Sequence, residues 1–328
     1  MKTILSTLAK LSVTALLLWW IMARYDMAPI READLTLLLL AVGIFVLSNL
    51  VGALQWKLLL HGQKISFPYG RAVKLYFIGL FFNNFLPGAL GGDVVKIYSI
   101  SRVEKRGREG LAATFVDRFA GFFLLALFAM GGSGWLLVSG AAIVKQDIIN
   151  YIFLVFGVFI LATALLFSRR VASLIYDVIL GRYKKFAPIA KFRESHEFFH
   201  AYRKQHSLAF KVFLLSMVIQ LLRITVHYLC ALSIGFEIGF IYFLIFVPLI
   251  ALVAIVPISF GGVGVRESIG PPLFTSVASI AAIAGAADFA AVTQLLATLV
   301  GILVGLIGGV VFVATRQTTG KLATGQDD

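Results

Sequence analysis

Apolar residues run in long unbroken blocks along this chain, and polar residues collect between them. Six blocks, residues 5–23, 35–59, 111–139, 149–168, 209–232 and 288–314, read as full spans. Each is long enough to cross a hydrocarbon core of about 30 Å as a helix. Two further stretches, 74–100 and 240–281, are apolar but interrupted by Pro and Gly. No stretch alternates apolar and polar at every second position, which excludes a transmembrane β-barrel. The blocks also lack the polar face that a helix of a soluble domain needs. The pattern predicts an all-α polytopic membrane protein with six full spans and two broken or re-entrant helical hairpins, eight spans if each hairpin counts as one.

Composition agrees. Of 328 residues, 60% are hydrophobic and 14% charged, against roughly 25% charged in a soluble domain. Mean hydropathy is +0.94. A net charge of +13 suggests an acidic partner, but the Lys and Arg residues sit in loops between apolar blocks. That is how membrane proteins fix their orientation. No nucleic-acid-reading module is present, so nucleic acid is excluded as a partner. Loop 57–74 carries Lys57, Lys64, Arg71 and Lys74, and loop 102–110 carries Arg102, Lys105, Arg106 and Arg108. Both are placed inside, with the N-terminus (Lys2, Lys10), the basic loop 169–208 and the C-terminal flank (Arg316, Lys321). Loops 24–34, 140–148 and 233–239 are placed outside. The first apolar run resembles a signal peptide, but Trp19-Trp20-Ile21-Met22 offers no small-residue cleavage site, so it reads as a retained helix.

On this topology each broken stretch starts and ends on one side. The first reads Asn83-Asn84-Phe85-Leu86-Pro87-Gly88-Ala89-Leu90-Gly91-Gly92-Asp93. The second reads Val256-Pro257-Ile258-Ser259-Phe260-Gly261-Gly262-Val263-Gly264-Val265-Arg266-Glu267. Pro87 and Pro257 lie 170 positions apart, as do Gly91 and Gly261. The same offset carries span 35–59 onto 205–229 and span 111–139 onto 281–309. The chain therefore reads as one transmembrane domain, 1–315, made of two repeats, about 1–140 and 149–315. Three full crossings per repeat invert the second relative to the first, an arrangement used by transporters. Within loop 169–208, Val171, Leu174, Ile175, Val178 and Ile179 fall at helical spacing beside basic residues, as in an amphipathic helix on an anionic membrane surface. Residues 316–328 read as a polar tail.

Chemistry-bearing candidates cluster at the breaks. Broken helices free backbone N–H groups that cannot stay unpaired in lipid, so they face a polar cavity or protein partners. A helix starting after Gly91-Gly92, or after Gly264 beyond Gly261-Gly262, turns a positive dipole end inward and suits an anion such as a phosphate head group. Asn83 and Asn84 could bind such a group or cap the broken backbone. Charges inside apolar segments are costly and mark function by default. Asp93 and Lys96 follow the first break, Asp117 and Arg118 begin the third full span as a possible internal pair, Arg223 lies deep in span 209–232, and Arg266 and Glu267 follow the second break. Ion pairs that merely lock helices are the plainer alternative. Trp56 and Lys57 read as anchors at the membrane interface. Cys230 is the single cysteine and the five His show no ligand spacing, so no metal site, disulfide or cofactor is expected. The Gly-rich run lacks the Lys-Ser/Thr of a nucleotide-binding loop.

These motifs, with Gln55-Trp56, Leu59, Leu60, Gly62 and Asp117-Arg118 with Gly121, resemble the lysylphosphatidylglycerol synthase transmembrane (flippase-like) family over about residues 10–315. The resemblance implies a multi-pass protein of the bacterial inner (cytoplasmic) membrane that translocates lipid. Fused members are thought to flip an aminoacylated phosphatidylglycerol, and stand-alone members have been linked to hopanoid and polyprenyl-linked lipids. The chain ends at Asp328, where fused members continue into a soluble aminoacyltransferase domain, so a stand-alone member is expected. Lys96 stands where many relatives have Arg, which keeps the charge and loses the bidentate fork.

The expected function is translocation of an anionic or zwitterionic lipid head group through a polar cavity between the repeats, by a protein that is not an enzyme. Membrane lipids are its expected partners, with a lipid-modifying enzyme as a further one. A membrane-embedded enzyme or a scaffold in a lipid-modification pathway is the alternative.

Overall fold

The computed structural model describes residues 2–85, 91–139, 205–254 and 262–324, with positions 150, 153–154, 156–158, 160–161, 202 and 259 between them. Among the described residues all regular structure is helical. The helices are α1 (Lys2–Arg24), α2 (Leu35–Gly62), α3 (Tyr69–Phe85), α4 (Gly91–Glu104), α5 (Gly107–Ser139), α6 (His206–Ser233), α7 (Phe240–Val253), α8 (Val265–Phe274), α9 (Ala278–Ala281) and α10 (Ala286–Thr324). Four of these, α2, α5, α6 and α10, are long and apolar enough to cross a membrane. The protein is an all-helical polytopic membrane protein. Much of the expected span 149–168, most of loop 169–208, and Pro87, Pro257 and Gly261 lie outside the described residues. α10 continues helical to Thr324, through most of the segment read as a polar tail.

Local sequence explains the element ends. Asp34 caps α2, its Oδ1 accepting from the Thr36 N–H at 2.7 Å and the Leu37 N–H at 3.4 Å. Lys64, in the left-handed region at φ 60°, follows the C-terminus of α2 and turns the chain toward α3. Stretch 74–100 resolves into α3 and α4, of 17 and 14 residues. Stretch 240–281 resolves into α7 and α8, of 14 and 10 residues, followed by the single turn α9. At 1.5 Å per residue α3, α4, α7 and α8 run roughly 15–26 Å, short of a full crossing.

Both broken stretches return to the end of the bundle where they begin. Arg106, just before α5, donates from Nη1 to the Lys64 carbonyl at 2.9 Å, so loops 57–74 and 102–110 share one end. At the other end the Asp34 N–H donates to the Ser233 carbonyl at 2.7 Å. There too the Asp26 N–H donates to Asp288 Oδ1 at 3.0 Å, which brings loop 24–34 beside loop 233–239 and the start of α10.

α2 lies along α6, α5 lies against α7, and α10 lies against α3 and α8. One apolar core, with Phe236, Phe243, Phe246 and Phe274, fills the end nearest the start of α2. Another, with Trp56, Leu59, Leu60, Phe67 and Ile100, fills the opposite end. Outward faces are apolar as well: Trp135 is 66% exposed and Val310 71%, as lipid-facing side chains are. With apolar contact offering little preference over lipid, helices associate through close backbone approach at small residues. Gly92 of α4 sits on the Gly79 carbonyl of α3, and Gly308 of α10 sits on the Phe77 carbonyl of α3.

A Cβ at Gly308 would overlap backbone that cannot swing aside. Gly308→Leu should therefore separate α3 from α10 and cost about 3 kcal/mol or more. Gly131→Ala on α5, where a Cβ meets nothing within 4 Å, should be silent. Thermal unfolding of both variants in detergent checks the contrast.

Candidate functional site

Between the two apolar cores lies a polar cavity of about 240 Å³. Its position follows from the order of residues along each long helix. On α2, Ala41 belongs to the first core, Phe45, Asn49 and Gln55 line the cavity, and Trp56 and Leu59 belong to the second. On α5, Ala112 and Val116 pack in the second core, Asp117, Arg118 and Gly121 line the cavity, and Ala129 and Leu136 pack in the first. Asn83, Asn84, Lys96, Arg223, His227 and Arg266 also face it. Seven of the nine predicted head-group residues are thus brought to one chamber.

One wall is a closed ion network. Lys96 Nζ lies 3.0 Å from Asp93 Oδ1 and 3.8 Å from Asp117 Oδ2. Arg118 Nε donates to Asp93 Oδ2 at 2.6 Å. Asp117 Oδ1 accepts from Gln55 Nε2 at 2.9 Å, and Gln55 Oε1 accepts from Ser216 Oγ at 2.9 Å. The two carboxylates balance the two cations, and the chain of bonds ties α4, α5, α2 and α6 together. Lys96 is 4% exposed and lies 4.7 Å from the Tyr76 ring centroid and 5.4 Å from that of Trp56. Aromatic faces add to the compensation of a desolvated ammonium. Adjacent residues on a helix do not face each other. Asp117 and Arg118 accordingly reach partners on other helices.

Each half-helix N-terminus has a backbone N–H held by a side chain. Asn83 Oδ1 accepts from the Gly92 N–H at 2.8 Å, capping α4, while Asn84 Nδ2 donates to the Gly301 carbonyl at 3.1 Å. Glu267 Oε2 accepts from the Gly264 N–H at 2.8 Å, one arm of a capping box on α8, and its Oε1 accepts from Thr298 Oγ1 at 2.7 Å. Gly264 has φ +85°, a conformation that favours glycine, and Leu17 of α1 packs where a Cβ would stand. Two expectations change. Glu267 is fully buried behind the cavity, with both oxygens engaged. Asp93 reaches the cavity through the two cations it holds.

The opposite wall is different. Arg223 Nε, Arg266 Nε and His227 Nδ1 are buried atoms with no hydrogen-bond partner among the described residues. The positive charge facing the cavity on this wall is therefore that of side chains, while an amide and a carboxylate each hold one backbone N–H at the half-helix starts. Trp56 corrects another expectation: it is fully buried, its Nε1 donates to Thr114 Oγ1 at 3.1 Å, and it supports the ion network instead of anchoring at the interface. Residues missed as site candidates are Asn49, Tyr76, Ser216, Gln220 and Thr298. All are polar positions within apolar helices, a signal available in the sequence.

A polar, cation-bearing chamber lined by membrane helices and two returning hairpins defines an integral membrane protein with an internal polar cavity. The chain belongs to the family described as the Lysylphosphatidylglycerol synthase TM region, whose match runs over residues 7–305. It is 26% identical over 294 residues to a UPF0104 membrane protein of Pyrococcus horikoshii, covering 84% of this chain and 88% of that protein. It is 27% identical over 256 residues to a UPF0104 membrane protein of Methanothermobacter thermautotrophicus, covering 70% of each. No solved structure matches the chain.

Asp93→Asn would leave Lys96 and Arg118 sharing one carboxylate in a desolvated wall. It should cost about 3 kcal/mol of stability. Asp93→Asn combined with Lys96→Met should cost clearly less than the sum of the single changes. A double-mutant cycle on thermal unfolding in detergent measures this.

Proposed function

We propose that the protein translocates a lipid across the cytoplasmic membrane, its head group passing through the cavity while the acyl chains stay in the bilayer. The carrying observation is the pair Arg223 and Arg266, which open onto one polar chamber between apolar cores without a hydrogen bond or ion pair among the described residues. Charge at membrane depth is expensive unless it is paired. Glu267, behind the cavity, is one acid for two arginines, and a ligand of opposite charge would complete the compensation. The family membership supports a lipid-linked role.

In this reading an inverted repeat underlies the fold. The two hairpins, α3–α4 and α7–α8, descend from opposite ends of the bundle toward the chamber. Rocking of one repeat against the other would alternate access. Both termini lie on the cytoplasmic side, which puts the basic loops 57–74 and 102–110 there by the positive-inside rule. No covalent step is needed, and a lipid-modifying enzyme is the natural upstream or downstream partner.

The test is transbilayer movement of labelled phospholipids and a polyprenyl phosphate in proteoliposomes. The unaltered protein should move at least one class faster than empty liposomes. Arg223→Ala, at a cavity-lining position, should remove most of that movement while eluting from a sizing column as the parent does. Equal movement with and without protein, or an unimpaired Arg223→Ala, would reject the reading.

A further inference from the structure

We infer that the chamber selects a purely anionic head group, a phosphodiester or phosphomonoester without an amine, and discriminates against zwitterionic and aminoacylated head groups. This rests on the reading that the chamber holds a lipid head group, and it names the class of that lipid.

The argument is one of charge placement. An ammonium on the ligand would need a free carboxylate. Asp117 is the one carboxylate among the described cavity-lining residues, and Gln55 and Lys96 already hold it at 2.9 and 3.8 Å. Asp93 is held by Lys96 and Arg118 at 3.0 and 2.6 Å. Both oxygens of Glu267 are taken by the Gly264 N–H and Thr298. Among the described cavity-lining residues the unpartnered oxygen acceptor is the neutral amide oxygen of Asn49, so an entering amine would have to displace a buried cation to reach a carboxylate. An entering phosphate meets two arginines whose Nε atoms have no partner among the described residues, and a guanidinium fork fits phosphate oxygens bidentately.

The repeat offset sharpens the asymmetry. Adding 170 to Lys96 gives Arg266, so the halves place a cation at equivalent positions. The same offset carries Asp93 onto Val263, an apolar residue of the cavity wall. The acid beside Arg266 is Glu267, which accepts from the Gly264 N–H and Thr298. Two carboxylates thus face the two cations of one half, and a single carboxylate stands behind the two arginines of the other.

The experiment is competition against fluorescent phosphatidylglycerol on the intact protein in neutral detergent, run beside transport of the same lipids in proteoliposomes. Phosphatidylglycerol and phosphatidic acid should compete about tenfold better than phosphatidylethanolamine or lysyl-phosphatidylglycerol. Arg266→Gln should lower phosphatidylglycerol affinity about tenfold. Val263→Asp, which adds a second carboxylate near Arg266, should erase the preference for anionic lipid, and sizing chromatography reports whether each variant is folded. Equal competition by the aminoacylated or zwitterionic lipid overturns the inference, and if transport persists, translocation stands without it. Selective binding without transport supports the inference and rejects translocation. Competition by glycerol phosphate as effective as by phosphatidylglycerol would assign the site to a soluble phosphate and overturn both.

Discussion

A charge in a hydrocarbon environment must find its opposite, and this structure is organised around one place where that has been arranged. Asp93, Lys96, Asp117 and Arg118 form a balanced network across α4 and α5, and Gln55 and Ser216 extend it to α2 and α6. Because each member depends on the others for compensation, the network fixes the depth of α4, a helix too short to be held by spanning the membrane. Trp56 and Tyr76 close over Lys96 and exclude the water that would otherwise weaken these bonds. The cavity inherits its shape from this wall.

Broken helices pose a second problem, the unpaired backbone at their inner ends. The protein closes those ends with side chains, Asn83 at α4 and Glu267 at α8. Each half-helix also carries an acid in its first turn, Asp93 or Glu267, so the positive end of the dipole is met from within. The hairpins therefore act as scaffolding for the chamber, and the positive potential inside it comes from Arg223 and Arg266. Close packing at Gly92 and Gly308 lets α3, α4 and α10 approach without side chains between their backbones, which keeps Asn83 and Lys96 beside the cavity.

The sequence by itself determined the class of fold. Blocks of apolar residues as long as a bilayer is thick admit helices and little else, so α1, α2, α5, α6 and α10 fall on the expected spans, and Pro-Gly interruptions mark both broken stretches. It also named most charged residues of the chamber, since a charge within an apolar helix stands out against its neighbours. What it could not decide was who pairs with whom. Asp117 and Arg118 are neighbours in the chain, yet helical geometry turns them toward different partners. Glu267 looked like a cavity residue and closes a helix end, and Trp56 looked like an interface anchor and lies in a core. Those outcomes depend on which helices lie side by side at a given depth, and only the tertiary structure brings together positions as far apart as Gln55, Asp117 and Ser216. The division between a neutralised wall and an open pair of arginines is decided there, because compensation is a property of distance in space and not of order along the chain.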